Sequence, residues 1–201
     1  MTTREDADSK ELAHRIRRLL SLIRSITVQM QFEGRDSAES ARHLAGRVGA
    51  LARAALTPIS AGMDLESLVL DELRVHRLHR AGILVAGPAI RLNAKSGEIM
   101  CLAIHELAAN SVKFGALSQP QSQLRVLWWF TGLADSRLHL EWGESEVRMP
   151  PGGRKNPGFS SQVVERMIAS ELHGNGKMLF LSEGVLCTIE VPVGESLLQY
   201  E

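Results

Sequence analysis

Three polar side chains recur at helical spacing in the segment IHELAANSVKFGALS, which spans residues 104–118. Glu106, Asn110 and Lys113 are four and three residues apart, so a helix would present them on one face. Glutamate and asparagine oxygens are suitable ligands for Mg²⁺, which usually keeps several waters and bridges phosphates, and an ammonium group can reach phosphate oxygens. The set therefore suits Mg²⁺ and a nucleotide, although an ordinary polar helix face has the same spacing.

His14 is a second candidate, because an imidazole nitrogen can attack a γ-phosphate in line. On a helical wheel of about 100° per residue, His14 lies opposite the apolar stripe of its helix, with Arg17 and Arg18 beside it. Guanidinium groups favour an incoming phosphate. Glu11, one turn earlier, could accept the ring N–H and set the tautomer. A nucleophile and an ordinary surface histidine both remain open, since geometry alone does not choose between them.

Trp142 and Glu144 end a predicted strand that leads into a loop rich in glycine, proline and charge, residues 143–157. Glu144 could accept a hydrogen bond from an adenine amino group. The loop closes on a helix start at Gly158, which is a suitable place for a lid or a phosphate-binding loop. The alternative is a flexible connection with no ligand.

Two amphipathic helices, separated by the turn EGRDS, are predicted before Pro58. The apolar stripes are formed by Leu12, Ile16, Leu19, Ile23, Ile26 and Met30 in the first helix and by Ala41, Leu44, Ala45, Val48, Leu51, Ala52 and Ala55 in the second. A lone hairpin cannot bury both stripes. Residues 8–58 are therefore expected to form a four-helix bundle with a second copy, which makes the protein a homodimer.

Helices and strands are mixed in residues 63–195, which predicts an α+β domain with a largely antiparallel sheet. Helices are expected from Asp64, from about residue 96 to 116 and from about residue 160 to 173. The predicted strands are ILVAG, AIRLN, LRVLWWF, RLHLEW, KMLFLS and VLCTIEV. Trp128 and Trp129 are expected in the core of the sheet.

Composition argues against several classes of protein. The formal net charge is zero, so no basic field indicates nucleic acid. Cys101 and Cys187 lie in apolar runs without metal-binding or redox spacing, which indicates reduced core thiols in a reducing compartment. The polar N-terminus does not resemble a signal peptide, and no apolar stretch approaches the roughly 20 residues of a membrane span. We expect a soluble cytoplasmic protein without a sensor domain of its own.

In combination, these segments resemble the HWE family of histidine kinases, which is close to the second histidine-kinase dimerisation family. The family is named for a histidine in its N box and a Trp-x-Glu in its G1 region, and the matching residues are His105, Trp142 and Glu144. The phosphoacceptor box is similar to ELAHRIRRLLSLIRSITVQ, which places the acceptor at His14. RVGALARA, DLESLVLDEL, AGPAIRLNA, GFSSQVVERMI and EGVLCTIEVPV follow the family pattern in order, so the resemblance covers residues 10–193.

The resemblance implies a dimerising helical hairpin followed by a Bergerat-type (GHKL) α/β sandwich that binds ATP and Mg²⁺. It implies that ATP phosphorylates His14 and that the phosphoryl group then passes to an aspartate of a response-regulator receiver domain. Asn110 would hold the metal, and Glu106 would assist the metal or the attacking histidine. The other residues implied in the nucleotide site are His105, Trp142, Glu144 and Gly158. A separate sensor protein would be one source of the signal.

Three places depart from the family pattern. Arg17 and Arg18 stand where the acceptor box usually has lysine and asparagine, residues 145–147 (Ser-Glu-Val) replace Gly-Gly-Pro, and Ser160 replaces the last glycine of Gly-Phe-Gly. Glycine is used where backbone approaches a ligand closely, because it lacks a side chain. Besides a histidine autokinase, two alternatives therefore stay open: an ATP-independent phosphotransfer or adaptor protein derived from a kinase, and a regulatory binding module in which His14 is silent.

Overall fold

The computed structural model describes residues 2–30, 37–75, 82–132, 135–148 and 159–197. The chain divides into two compact units, Met1–Ala52 and Arg53–Glu201. The domain bounds expected from the sequence, 8–58 and 63–195, place the junction slightly later and stay a prediction. The hairpin turn at Gly34 and the residue Gly158 lie outside the described residues.

The first unit consists of two helices, as the apolar spacing predicts. Helix α1 spans Thr2–Met30, and helix α2 spans Ser37–Leu56, so that the last turn of α2 belongs to the second unit. In α1 the stripe is buried at Ile26, whereas Leu12 and Ile16 are 54% and 49% exposed within the single chain. The N-terminal half of the stripe is therefore apolar surface that this chain does not cover by itself.

The buried face of α2 differs from the predicted stripe. Leu51 is buried as expected, but Ala41, Ala45 and Ala52 are exposed. The residues enclosed in their place are Arg47, Ala50 and Ala54. Alanine is small enough to lie on either face of a helix, so an alanine-rich stripe defines its buried direction poorly.

The second unit is a layer of helices on a five-stranded sheet. Its elements are β1 (Met63–Asp64), α3 (Leu65–Val75), β2 (Ile83–Ala86), β3 (Arg91–Leu92), α4 (Ala94–Phe114), β4 (Gln123–Thr131), β5 (Arg137–Ser145), α5 (Phe159–Gln162), α6 (Ile168–Leu172), β6 (Asn175–Leu181), β7 (Gly184–Pro192) and α7 (Val193–Ser196). A π-helical segment, Val163–Met167, joins α5 to α6, and short 3₁₀ turns cover Ile59–Ala61 and Ala116–Ser118. Strands β1 and β3 form a separate antiparallel pair.

The main sheet has the order β2-β4-β5-β7-β6. Strand β2 runs parallel to β4, and the other neighbours are antiparallel, which confirms the expected mixed helix and sheet fold. Trp142 in β5 lies opposite Val126 in β4 and Cys187 in β7, and all three side chains are buried.

Period-2 alternation places one side of the sheet against the helices. Trp128 is buried there, and its indole N–H donates to the carbonyl oxygen of Pro88 at 2.8 Å. Trp129 points to the opposite side, is 40% exposed and stacks on the ring of His139. The expectation that both tryptophans lie in the core is therefore wrong for Trp129, because neighbouring residues of a strand face opposite sides.

Side-chain caps define where the two central helices begin. Asp64 Oδ2 accepts hydrogen bonds from the backbone N–H and the hydroxyl of Ser67 at the start of α3. Asn93 Oδ1 accepts from the N–H of Ser96 at the start of α4. Such caps satisfy donors that have no partner inside the helix.

Both cysteines are free, buried thiols, as expected. Burial raises the pKa of Cys101 and of Cys187 to about 12 in each case, so both remain protonated at neutral pH. Among the described helices, none combines the length and the hydrophobicity that crossing a bilayer requires.

Candidate functional site

Helix α4 carries the predicted nucleotide-binding face from the interior to the surface. Glu106 is buried, Asn110 one turn later is half-buried, and Lys113 is exposed. The ammonium of Lys113 lies 4.9 Å from the centre of the Phe114 ring. The three side chains thus form a graded polar strip, with its charged end in solvent.

The chemistry of this strip fits Mg²⁺ only in company with a phosphate ligand. Glu106 and Asn110 offer hard oxygen donors, and Mg²⁺ is commonly held by one or two protein groups together with substrate phosphates and water. Within the described ranges, no group of three or more histidine, cysteine, aspartate or glutamate side chains is arranged to hold a metal ion. Two oxygen donors of this kind suit a metal that arrives with a nucleotide.

His105 points away from this strip, towards α3. Its Nδ1 lies 2.9 Å from Oε2 of Glu72, and both side chains are buried. The other carboxylate oxygen of Glu72 accepts a hydrogen bond from the guanidinium of Arg53, in the last turn of α2. A chain of charged and polar groups, Arg53–Glu72–His105, therefore connects that turn through α3 to α4.

The environment of Glu72 keeps its carboxyl group ionised. Burial by itself raises the pKa of Glu72, but hydrogen bonds and charge interactions from His105 and Arg53 outweigh burial, and the pKa is lowered from its ordinary value of 4.5. An ionised carboxylate can only accept hydrogen bonds. Nδ1 of His105 is therefore protonated and donates the hydrogen bond to Glu72.

Glu144 uses both of its carboxylate oxygens on protein donors. Oε1 accepts from the indole N–H of Trp142 at 2.8 Å, and Oε2 accepts from the backbone N–H of Ala116 at 2.8 Å. Glu144 is buried, and no surface of Trp142 is exposed. Glu144 therefore ties β5 to the end of α4, and Trp142 is enclosed in the sheet. A hydrogen bond from adenine to Glu144 stays a prediction.

Gly115 is required for this approach. A methyl group at this position would overlap Oε2 of Glu144 and come within 2.9 Å of the Cα of Ser111. The backbone N–H of Gly115 closes α4 by donating to the carbonyl of Ser111. Glycine at this position thus lets the carboxylate reach the N–H of Ala116 just beyond the helix.

The residues that depart from the family pattern after Trp142-x-Glu144 are packed into the protein. The hydroxyl of Ser122 donates to the carbonyl of Glu146 at 2.7 Å, and the N–H of Val147 donates to the carbonyl of Glu183 at 2.9 Å. Val147 is buried, and Glu146 has a φ of 59°. Residues 145–147 therefore have structural partners of their own. The loop from 149 to 158, with Gly158, lies outside the described residues.

In the first unit, α1 places His14 on its exposed surface, as the helical wheel predicts. Arg17 is exposed as well, and Arg18 is half-buried. Glu11 is exposed one turn earlier; between the described side chains of Glu11 and His14 there is no hydrogen bond or ion pair. The imidazole of His14 is thus accessible to a reacting group within the single chain.

Glu72 and Arg53 are the functional candidates that sequence reasoning missed. The buried positions of α3 are Leu65, Val69, Glu72 and Leu73, so a carboxylate occupies the apolar stripe of this helix. Lys, Glu, Arg and Asp are almost never fully buried unless they are paired. A charged residue at a core position was therefore the signal that could have identified Glu72.

Comparison with known proteins agrees with this architecture. The family model for HWE histidine kinases matches residues 11–89. Blue-light-activated histidine kinase 1 of Erythrobacter litoralis (strain HTCC2594) is 31% identical over 191 residues, which cover 91% of this chain and 52% of that protein. The blue-light-activated histidine kinase of Rhizobium johnstonii is 30% identical over 185 residues, with 90% and 52% covered.

The fold is also found in solved structures. The histidine kinase domain of the Erythrobacter litoralis EL346 blue-light-activated histidine kinase superposes with a TM-score of 0.57 at 13% identity, covering 92% of this chain and 90% of that domain. The longer EL346 structure gives a TM-score of 0.63 at 14% identity, covering 92% and 59%.

A helical segment followed by a helix-covered mixed sheet is thus the fold of a histidine kinase core. His105, Trp142 and Glu144, which the sequence resemblance assigns to the N box and the G1 region, stand within it. The chain belongs to the HWE histidine kinase family. It spans about half the length of the curated relatives that it matches.

Proposed function

We propose that this chain is a histidine autokinase that uses ATP and Mg²⁺ to phosphorylate His14. The observation that carries the proposal is the polar strip of Glu106, Asn110 and Lys113 on α4, in a fold shared with histidine kinase domains. Bound Mg²⁺ would neutralise charge on the phosphates. Asn110 and Glu106 would supply its protein oxygens, and the exposed ammonium of Lys113 would contact phosphate oxygens.

The proposed transfer balances without a further reactant. The unprotonated ring nitrogen of His14 forms a bond to the γ-phosphorus while the bond from that phosphorus to its bridging oxygen breaks, and ADP leaves. Attack leaves the ring positively charged, with the proton that it already carried on its other nitrogen, and the carboxylate of Glu11, exposed one turn away, can accept that proton. The cationic side chains of Arg17 and Arg18 favour the incoming phosphate.

The residues that name the family act, in this proposal, by positioning the site. Glu144 holds the backbone beyond the end of α4, and Trp142 holds Glu144, so the pair would fix the position of the strip on α4. His105 immediately precedes Glu106 and lies about 100° from it around the same helix, on the side that faces α3.

A homodimer and a response-regulator partner complete the proposal. Leu12, Ile16 and Leu20 of α1 are about half exposed or more, which leaves an apolar surface for a second copy. The phosphoryl group on His14 would then pass to an aspartate of a receiver domain in the cytoplasm.

The test is incubation with γ-³²P-labelled ATP and Mg²⁺. We expect a protein label that is lost in acid and stable in alkali, absent from His14→Ala and retained in His43→Ala, since His43 is another histidine on a helix surface. Label that persists in His14→Ala contradicts the assignment of the acceptor.

An ATP-independent phosphotransfer protein is the second candidate. It is favoured by the bonded segment 145–147, because the carbonyl of Glu146 and the N–H of Val147 already have protein partners. This function predicts no label from ATP but acid-labile label on His14 from a receiver domain phosphorylated beforehand. Absence of label from both donors would leave the regulatory binding module.

A further inference from the structure

Glu72 is a buried carboxylate to which the proposed mechanism assigns no role. We propose that Glu72 is a positioning residue for phosphoryl transfer: it holds His105, and through His105 the turn of α4 that carries Glu106 and Asn110. Arg53 orients Glu72 from the other side. This inference rests on the proposed kinase function, and the experiment below separates the two.

Glu72 is the middle residue of the hydrogen-bonded series Arg53–Glu72–His105. Its side chain is 1% exposed and divides its oxygens between a cation and an imidazole that come from different helices. Arg53 is 19 residues before Glu72 in sequence, and His105 is 33 residues after it. Glu72 is therefore the common partner through which the last turn of α2 and the middle of α4 are joined.

The position of His105 explains how Glu72 can influence the nucleotide strip. His105 immediately precedes Glu106, and a helix turns about 100° per residue, so a ring anchored at His105 limits rotation of α4 about its own axis. Asn110 lies one turn beyond Glu106. Since a displacement of about 1 Å in a reacting arrangement can cost about 100-fold in rate, loss of the anchor is expected to affect transfer more than binding.

A second carboxylate on α3, Asp71, lies close to Glu72 and can serve as its control. A cavity of about 160 Å³ lies beside the ion pair and is lined by Arg53, Glu72, Cys101 and the carboxylates of Asp64 and Asp71. Asp71 is exposed and pairs with Arg74 at 2.7 Å, so it shares the helix and the charge of Glu72 but not its bond to His105. Asp71→Asn is therefore a matched control for Glu72→Gln.

The experiment measures autophosphorylation of the full chain against ATP concentration, with Mg²⁺ in excess. We expect Glu72→Gln to lower the rate at saturating ATP by at least about tenfold while KM for ATP changes by less than about threefold. Asp71→Asn should stay within about twofold of the unmodified chain in both parameters. A Glu72→Gln protein with an unchanged rate would overturn the positioning role.

A double-mutant cycle tests whether Glu72 acts through His105. If it does, Glu72→Gln made in a His105→Asn background should cause little further loss of rate, because the shared contact is already absent. Independent losses that multiply would contradict the proposal. As a spectroscopic check, ¹⁵N NMR of the imidazole should show His105 protonated on Nδ1 in the unmodified chain and a shifted Nδ1 resonance in Glu72→Gln.

Two further measurements keep the outcomes distinct. If Glu72→Gln does not fold, Glu72→Asp retains the charge but withdraws it by one methylene group, and its rate should still fall with KM little changed; an unchanged rate in folded Glu72→Asp again overturns the role. Binding of a fluorescent ADP analogue with Mg²⁺ is measured in parallel. If the unmodified chain neither binds this probe nor becomes labelled, the proposed function fails. If it binds and becomes labelled normally, and the Glu72 variants have unchanged rates, only the inference about Glu72 is refuted.

Discussion

The indole N–H of Trp142 donates to Oε1 of Glu144, two residues further along the same strand, at 2.8 Å. Residues i and i+2 lie on the same side of a strand, so this bond forms within β5 and directs the second oxygen of Glu144 towards Ala116. The two residues that help to name the family thus form one structural unit at the end of α4.

Removing the indole donor is expected to destabilise the protein. Trp142→Phe leaves a buried carboxylate oxygen without its partner and removes part of a ring that is 0% exposed, so the free energy of unfolding should fall by about 2–4 kcal/mol. Urea denaturation measures the change. Trp129→Phe on the exposed side of the neighbouring strand should cost less than about 1 kcal/mol, and equal losses at both positions would refute the role of the Trp142–Glu144 bond.

Gly115 should not tolerate a side chain. Gly115→Ala places a methyl group against Glu144 and the backbone of Ser111, which should lower the free energy of unfolding by about 1–3 kcal/mol. The control is Gly194→Ala, since a methyl group at Gly194 meets nothing within 4 Å. Thermal unfolding of the two variants distinguishes them, and a Gly115→Ala protein as stable as its control would contradict the close approach of Glu144.

The stabilisation from Glu72 should disappear in acid. Its pKa in the folded protein lies below the ordinary value of 4.5, so between these two values the unfolded chain binds more protons than the folded one. The contribution is therefore complete above about pH 5 and is lost as the pH falls through the folded pKa. Urea denaturation from pH 7 to pH 3 should show the free energies of unfolding of the unmodified protein and Glu72→Gln converging at low pH. A difference between them that grows in acid would contradict the lowered pKa of Glu72.

Asn110 is expected to be required for the metal-dependent step. Asn110→Ala should abolish autophosphorylation, a loss of at least about 100-fold, while the dimer remains intact. Val112→Ala, at a partly exposed apolar position of the same helix, should retain activity within about threefold. Phosphorylation assays and light scattering provide the two readouts. Normal labelling in Asn110→Ala would show that another residue holds the metal.

The exposed stripe of α1 should mediate self-association. Ile16→Glu introduces a charge into an apolar surface that is 49% exposed in the single chain, so it should convert a dimer into a monomer at micromolar concentration. Ser21→Glu, on the side of α1 predicted to carry His14, should leave the dimer unchanged. Size-exclusion chromatography with light scattering measures the mass. A monomeric unmodified chain would remove the homodimer from the proposal.

Local periodicity was sufficient to predict several features. The apolar spacing of α1, the alternation in β5 and the start of α3 next to Asp64 each depend on neighbours within a few positions. For the same reason the exposure of His14 followed from a helical wheel. Within the single chain, α2 buries Leu51 of its predicted stripe and leaves Ala41, Ala45 and Ala52 exposed, so burial of these alanines against a second copy stays a prediction.

The sequence by itself determined the order of the longer helices and strands and the candidate residues on α4 and around His14, because these depend on local spacing. Only the tertiary structure decided that His105 meets Glu72, 33 residues earlier, and that Glu144 meets Ala116, 28 residues earlier. Spacing defines the face of an element on which a residue lies. Which residues that face contacts depends on how distant segments pack. The same packing decides whether a residue touches a ligand or holds a neighbouring residue in place.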